Sequence, residues 1–204
     1  YNTGRLVCLD TRTNEIKWQQ DDLVGELGTD KQGIFTLFVD RDNDIWMYSP
    51  LGIWVYNPEQ EKWLSWLTNI IKRRSHNMVR AVSQDKQGRI WIGTDQDGID
   101  ILDKKTGEVR QLRNKAGDER SLQNNTVMVL YEDSSETMWV GTYKKGISYF
   151  NECAFKFGAE YIGDISCIEE DKEGYVGLGT NDVGIIYWNS VTGNRAAFPK
   201  KDMD

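Results

Sequence analysis

The sequence predicts an all-β fold made of repeated four-stranded sheets. One phrase, an acidic turn followed by an apolar strand that ends in Gly-Thr or a substitute, occurs four times. The copies are residues 85–94 (DKQGRIWIGT), 133–142 (DSSETMWVGT), 171–180 (DKEGYVGLGT) and 40–49 (DRDNDIWMYS). Along the chain, their leading aspartates lie 45, 48 and 38 residues apart. A period of about 40–50 residues built from short strands is typical of a β-propeller, with one blade per repeat.

Residues 78–113 show how one repeat forms a blade. Residues 78–84 alternate apolar and polar side chains, and residues 89–94 form a second apolar strand. The turn between them begins with Asp85, whose side chain can bond its own backbone, and ends with Gly88, which tolerates positive φ. Residues 99–102 and 108–113 complete four short antiparallel strands, the number in a propeller blade.

The same division predicts three further blades, at residues 34–67, 127–157 and 165–198. Residues 1–20 match only the third and fourth strands, so they form the outer strands of an incomplete blade. We therefore expect one propeller domain with almost no helix: four complete four-stranded blades plus the outer half of another. Such a chain is a fragment of a larger propeller, or is completed by another chain.

Tryptophan recurs at one position of the repeat, as Trp46, Trp91 and Trp139. Recurrence at one blade position indicates that these side chains fill the space between blades rather than form a ligand cage. The glycine two residues later lacks a side chain and admits the neighbouring sheet at close range. In the last repeat Gly177 replaces the tryptophan, and either Tyr175 or Trp188 compensates for it.

Composition excludes several classes of function. The net charge is −7 and the basic run at residues 72–74 is short, so the chain has no nucleic-acid footprint. No run of about 18 apolar residues could span a membrane, and we expect no membrane contact by this segment. His76 is the single histidine and the three cysteines form no CxxC pair, which disfavours zinc sites and Ser-His-Asp chemistry. We predict no cofactor, no metal and no catalytic residue.

The repeated phrase, followed by Gly-Ile and a Leu-Asp-x-x-Thr-Gly turn, resembles the two-component regulator propeller repeat. The connection at residues 121–127 (SLQNNTV) is similar to the Ser-Leu-x-x-Asn-x-Val linker of that family. The resemblance implies the periplasmic sensor region of an inner-membrane hybrid two-component histidine kinase from a glycan-degrading gut bacterium. It also implies an oligosaccharide ligand and signalling to a kinase that is not in this chain.

Two other functions compete with the sensor. A propeller can act as a protein-interaction scaffold, or less favourably as a carbohydrate-active enzyme. A glycosidase needs two carboxylates about 5–10 Å apart, and the acidic residues here stand in turns where they are common. Tyr143 with Lys144 and Lys145 is the one cluster suggestive of a lyase. Glycan affinity without turnover favours the sensor, and a defined protein partner without glycan affinity favours the scaffold.

A ligand would bind on the face that collects the fourth-to-first links and the second-to-third loops, because long loops on a rigid scaffold carry recognition. Polar side chains there can hydrogen-bond sugar hydroxyls, and the basic ones favour acidic or sulfated glycans. The candidate ligand-binding residues are Arg73, Arg74, His76, Asn77, Asp95, Asp97, Arg120, Asn124, Tyr143, Lys144, Asn181 and Asp182.

An open stack of blades exposes an unpaired strand edge and apolar sheet faces, which favours pairing with another chain. The expected partners are therefore the remaining blades and signalling domains of a parent chain, the oligosaccharide, and a second copy in a homodimer. We predict that the purified chain either self-associates, which light scattering would detect, or is less stable than the longer protein. A monodisperse, heat-stable monomer in dilute solution would instead indicate a small closed ring.

Overall fold

A computed structural model describes residues 6–20, 35–49, 52–74, 78–151, 156–160, 162–189 and 192–199. Within these residues the chain forms antiparallel sheets and a single α-helix. No helix in this part of the chain is long and apolar enough to span a membrane.

The first two sheets come from the N-terminal part of the chain. The half-sheet consists of β1 (Leu6–Asp10) and β2 (Glu15–Gln20). Blade 1 consists of β3 (Thr36–Val39), β4 (Ile45–Ser49), β5 (Gly52–Asn57) and β6 (Lys62–Trp63). The helix α1 (Ser65–Arg74) follows β6 directly.

Three more four-stranded sheets follow with the same strand order. Blade 2 consists of β7 (Val79–Gln84), β8 (Ile90–Thr94), β9 (Ile99–Leu102) and β10 (Val109–Leu112). Blade 3 consists of β11 (Val127–Glu132), β12 (Met138–Thr142), β13 (Gly146–Asn151) and β14 (Lys156–Glu160). Blade 4 consists of β15 (Ile165–Glu170), β16 (Val176–Thr180), β17 (Gly184–Trp188) and β18 (Arg195–Pro199).

Each sheet packs on the next through one cluster of buried apolar side chains. Trp46 contributes to the cluster between blades 1 and 2, Trp91 to that between blades 2 and 3, and Trp139 to that between blades 3 and 4. The half-sheet covers the other face of blade 1, where Leu6 and Trp18 contact Tyr56 and its neighbours. The prediction of a propeller with four complete blades and the outer half of another is confirmed.

The fourth strand of blade 1 differs from the prediction. The sequence predicts a blade of four strands that extends to residue 67, whereas β6 has two residues and α1 follows it. Leu67 and Ile71, four residues apart, lie on one side of the helix and are 0% and 3% exposed, packed in the cluster between blades 1 and 2. Burial of this apolar stripe selects the helix. It is the one helix among the described residues, so the expectation of almost no helix is confirmed.

In the three repeats that contain the tryptophan, the leading aspartate holds both its turn and that tryptophan. In blade 2, Asp85 Oδ1 accepts a hydrogen bond from the Arg89 backbone N–H at 2.8 Å, and Asp85 Oδ2 accepts one from Trp91 Nε1 at 2.7 Å. Asp40 bonds Trp46 Nε1, and Asp133 bonds Trp139 Nε1, each at 2.8 Å. The indole N–H is therefore satisfied although the three tryptophans are at most 1% exposed.

The glycines of the Gly-Thr pairs allow close approach of the next blade, as predicted. A Cβ on Gly93 would lie 2.6 Å from Val127 Cγ1, and one on Gly141 would lie 2.9 Å from Ile165 Cγ2. Both distances are shorter than carbon atoms tolerate, so a side chain here would push the blades apart. In blade 4, the Trp188 ring packs against Trp139 at a centroid distance of 5.1 Å, in the way that Phe150 of blade 3 packs against Trp91. Gly177 lies on the opposite face, beside Tyr187, so Trp188 does not compensate for it.

The aspartate turns also link consecutive blades. The backbone N–H after the leading aspartate donates to the side chain that ends the first strand of the next blade. The three pairs are Arg41 with Gln84, Lys86 with Glu132, and Ser134 with Glu170, each at 2.8 Å. These bonds fix the position of each turn relative to the next sheet.

Blades 1 and 2 share one further contact, at the Lys104 ammonium. Its Nζ lies 2.6, 2.8 and 2.7 Å from carboxylate oxygens of Asp40, Asp42 and Asp44. Burial lowers the pKa of Lys104, but hydrogen bonds to the three carboxylates outweigh it and hold that pKa above its ordinary value. The bond from Lys104 in turn holds the pKa of Asp42 below its ordinary value.

We predict that Trp91→Ala lowers the free energy of unfolding by about 3–5 kcal/mol, because it opens a cavity between blades 2 and 3 and leaves Asp85 without its indole donor. Trp66→Ala is the matched control, because Trp66 is 48% exposed on α1. Urea unfolding of both variants measures the difference. Equal effects of the two substitutions would contradict the packing described here.

We predict that Lys104→Met destabilises the chain in a pH-dependent way, with Lys172→Met as the exposed control. The lowered pKa of Asp42 contributes stability above the unfolded value of about 3.9, and that contribution is lost as pH falls through the folded value. The difference in free energy of unfolding between the unsubstituted chain and Lys104→Met should therefore be largest near neutral pH and shrink below about pH 4. Urea unfolding across this range is the test, and a gap that stays constant would contradict the ion-pair explanation.

Candidate functional site

The long-loop face collects the loops that follow β8, β12 and β16 and the linkers that precede β11 and β15. In each loop the threonine of the Gly-Thr pair donates its hydroxyl to the carbonyl of the following loop glycine. The pairs are Thr94 with Gly98 at 2.9 Å, Thr142 with Gly146 at 2.9 Å, and Thr180 with Gly184 at 2.8 Å. These bonds give the three loops one shape and a rigid base.

Each loop is also tied to the linker that enters its own blade. The Tyr143 N–H donates to the Thr126 carbonyl at 3.0 Å, and the Asn181 N–H donates to the Asp164 carbonyl at 3.0 Å. The Asp95 N–H bonds the carbonyl of Met78 in the same way. Loops and linkers therefore lie together, as the strand topology predicts.

Four of the predicted site residues come together where blades 2 and 3 meet; we call Asp95, Asn124, Tyr143 and Lys144 the Tyr143 ridge. Asn124 Nδ2 donates to the Tyr143 carbonyl at 2.9 Å, and Asp95 Oδ1 accepts from the hydroxyl of neighbouring Thr126 at 3.2 Å. Lys144 Nζ lies 4.9 Å from the centre of the Tyr143 ring, which is 41% exposed. A hydrogen bond with the Tyr143 side chain raises the pKa of Lys144, so the amine is charged at neutral pH.

Several predicted ligand residues already bond within the protein. Asp95 pairs with Arg80 at 2.6 Å, and Asp97 pairs with Arg113 at 2.7 Å. Asn181 Nδ2 donates to Asp164 Oδ2 at 3.3 Å. These three side chains hold the loops in place, which leaves the exposed Tyr143 and Lys144 as the groups of the ridge that face solvent.

Three of the remaining predicted residues, Arg73, Arg74 and Arg120, lie elsewhere in the described part of the chain. Arg120 is exposed in a turn of the linker between blades 2 and 3, which Leu122 anchors by full burial. Arg73 and Arg74 end helix α1 rather than lying in a loop. His76 and Asn77 lie outside the described residues.

Asp182 lines a cavity of about 350 Å³ that sequence reasoning did not identify. We call it the Gly163 cavity: Gly163 and Asp182 form its rim, and Ile186, Arg195 and Ala197 form its wall on the outer strands of blade 4. The Arg195 guanidinium stacks on the Trp188 ring at 4.7 Å. The pairing of β17 with β18 sets Trp188 opposite Arg195. An aromatic and a basic residue at paired positions of this hairpin are the signal that could have indicated the cavity.

Asp40, Asp42 and Asp44 are the one group of side chains in the described ranges with the spacing of a metal site. The Lys104 ammonium lies among their oxygens and supplies the positive charge. The geometry is that of an ion-pair cluster between blades rather than of a site facing the loops.

Comparison with known proteins agrees with this architecture. The family model described as the two component regulator propeller matches residues 74–96 and 121–144, which include the inner two strands of blades 2 and 3. No curated protein is detectably similar in sequence.

Solved structures share the fold. Two extracellular domains of hybrid two-component systems from B. thetaiotaomicron are 22% and 16% identical, with TM-scores of 0.66 and 0.61. The matches cover 85% and 80% of this chain and 24% of each domain, so the chain spans about a quarter of their length. A virginiamycin B lyase from Staphylococcus aureus is 12% identical with a TM-score of 0.67, over 97% of this chain and 63% of that one.

At these identities the structural matches establish the fold alone, whereas the family match rests on the repeat phrase itself. Both matched segments contain an aspartate turn, its tryptophan and part of the loop that follows. The resemblance seen in the sequence is confirmed for these two segments: residues 74–96 and 121–144 match the repeat of the two-component regulator propeller family.

Proposed function

We propose that this chain is part of an extracytoplasmic, periplasmic sensor that binds an oligosaccharide and signals to a histidine kinase not present in this chain. The family match supports the two-component context. The similar domains from B. thetaiotaomicron, described as extracellular parts of hybrid two-component systems, support a location outside the cytoplasm.

The Tyr143 ridge is the observation that best supports an oligosaccharide as the ligand. An exposed aromatic ring can stack on the apolar face of a sugar, while its hydroxyl bonds the sugar edge. Lys144 donates hydrogen bonds beside that ring, and the Asn124 amide fixes the loop that carries both groups. A rigid sheet below the loops keeps the ordering cost of binding small.

Charge favours acidic units at this ridge. Lys144 is charged and Arg120 is exposed on the neighbouring linker. A uronate or sulfate group would pair with these cations, and such charge-assisted bonds are stronger than neutral ones. Neutral and acidic units of one oligosaccharide can therefore bind different parts of the long-loop face.

We predict that Tyr143→Ala and Lys144→Ala each weaken oligosaccharide binding by about tenfold, because each removes one contact worth about 1.4 kcal/mol. Calorimetric titration of the purified chain with neutral, uronate-containing and sulfated oligosaccharides is the measurement. Lys172→Ala is the matched control, because Lys172 is exposed on the aspartate turn at the opposite end of blade 4.

The outcomes separate the competing functions. Binding without turnover that is lost in both ridge variants supports the sensor. Hydrolysis or elimination of the oligosaccharide would support a carbohydrate-active enzyme. No oligosaccharide affinity, together with a defined protein partner, would support an interaction scaffold.

A further inference from the structure

We infer that the Gly163 cavity binds one neutral sugar unit of the oligosaccharide, at a place separate from the Tyr143 ridge. The inference rests on the proposed function for its ligand class. The cavity has a volume of about 350 Å³, at the lower end of the range of about 300–1,000 Å³ typical of small-molecule sites.

The wall of the cavity has the mixed character that a sugar ring requires. Ile186 and Ala197 are cross-strand neighbours on β17 and β18 and present an apolar surface. Asp182 stands at the rim as a hydrogen-bond acceptor, and Arg195 stands on the wall as a donor. A pyranose ring has an apolar face and a hydroxylated edge, which match these two kinds of surface.

Two buried polar atoms next to the cavity lack partners. Asp164 Oδ1 and Trp188 Nε1 are buried, and neither has a hydrogen-bond partner within the described residues. Asp164 adjoins the rim, because its N–H donates to Asp182 Oδ1 at 3.3 Å, and Trp188 lies under Arg195. Unsatisfied buried groups are rare in folded proteins, so both call for a partner.

A sugar hydroxyl at the rim can donate to Asp164 Oδ1. Trp188 lies toward the other end of the sheet, because it pairs with Val176, whereas Ile165, next to Asp164, pairs with Thr180. The three repeat tryptophans bond their indole N–H groups to their own aspartates. Trp188 is not at the repeat position: it stands on the third strand of its blade, where blade 3 has Phe150, and its indole N–H has no such bond.

The local charges select a neutral unit. Asp164 and Asp182 contribute two carboxylates against the single guanidinium of Arg195, so an anionic sugar would meet a net negative site. Arg195 already stacks on Trp188, which fixes its direction. A neutral hexose keeps both carboxylates as acceptors without charge repulsion.

The rim is preorganised. Gly163 has φ of +105°, and a Cβ at this position would lie 2.5 Å from Asp182 Oδ1. Only glycine therefore lets the linker into blade 4 approach the loop after β16 this closely. The contact places Asp182 at the rim before any ligand binds.

The test compares two substitutions on neighbouring residues of β18. Ala197→Phe fills the cavity, whereas Ala196→Phe adds the same ring on the opposite face of the strand, beside Tyr187. Arg195→Met keeps an aliphatic side chain over Trp188 but removes the hydrogen-bond donors. It tests the cavity independently if Ala197→Phe fails to fold. Calorimetry with neutral and uronate-containing oligosaccharides gives the affinities. The Trp188 indole N–H signal in NMR spectra, assigned with Trp188→Phe, reports on the cavity itself.

We expect Ala197→Phe and Arg195→Met to weaken neutral oligosaccharide binding by about tenfold. Ala196→Phe should bind with the affinity of the unsubstituted chain. The Trp188 indole N–H signal should shift on titration. Binding that is unchanged in Ala197→Phe and Arg195→Met would overturn this inference and leave the proposed function intact. A preference of the cavity for uronates, lost in Ala197→Phe, would overturn its neutral specificity. No oligosaccharide binding to the unsubstituted chain would overturn both the inference and the proposed function.

Discussion

The hydrogen bond between a buried aspartate and the indole of its own repeat is the interaction on which the rest of the structure depends. In blade 2 it joins Asp85, in the tight turn, to Trp91, whose ring fills the space between blades. One carboxylate thus satisfies the turn backbone with one oxygen and the indole with the other. Because a buried N–H without a partner is costly, this bond lets a large ring be fully buried at the blade interface.

Contacts between blades build on that unit. The turn that the aspartate organises donates its next N–H to the following blade, as in the bond from Lys86 to Glu132. Burial raises the pKa of Glu132, and the bond from Lys86 opposes that shift. At the opposite end, the Gly-Thr pair lets the next sheet approach and closes the loop through the threonine hydroxyl. A single repeat phrase therefore specifies both the rigid stack and the loops that it presents.

Blade 4 departs from this scheme on both of its faces. Gly177 replaces the repeat tryptophan on the face that carries Tyr187, and Trp188 packs on Trp139 on the face that carries the wall of the Gly163 cavity. Its indole has no internal acceptor within the described residues, whereas the ring contacts Arg195 on its other side. Places where a repeat breaks its own rule at the cost of an unsatisfied group are where function is expected.

The sequence by itself determined the all-β blades, their strand order and the burial of Trp46, Trp91 and Trp139, because alternation and turn chemistry are local properties of a repeat. Tertiary structure alone decided that Leu67 and Ile71 form a helix, since only a neighbouring blade can bury that stripe. It also decided which polar loop residues remain available, because the partners of Asp95 and Asp97 lie 15 and 16 residues away along the chain and meet them only in the folded blade. The cavity followed from the same cause: its rim and wall come from segments about 30 residues apart that meet only when the blade is folded.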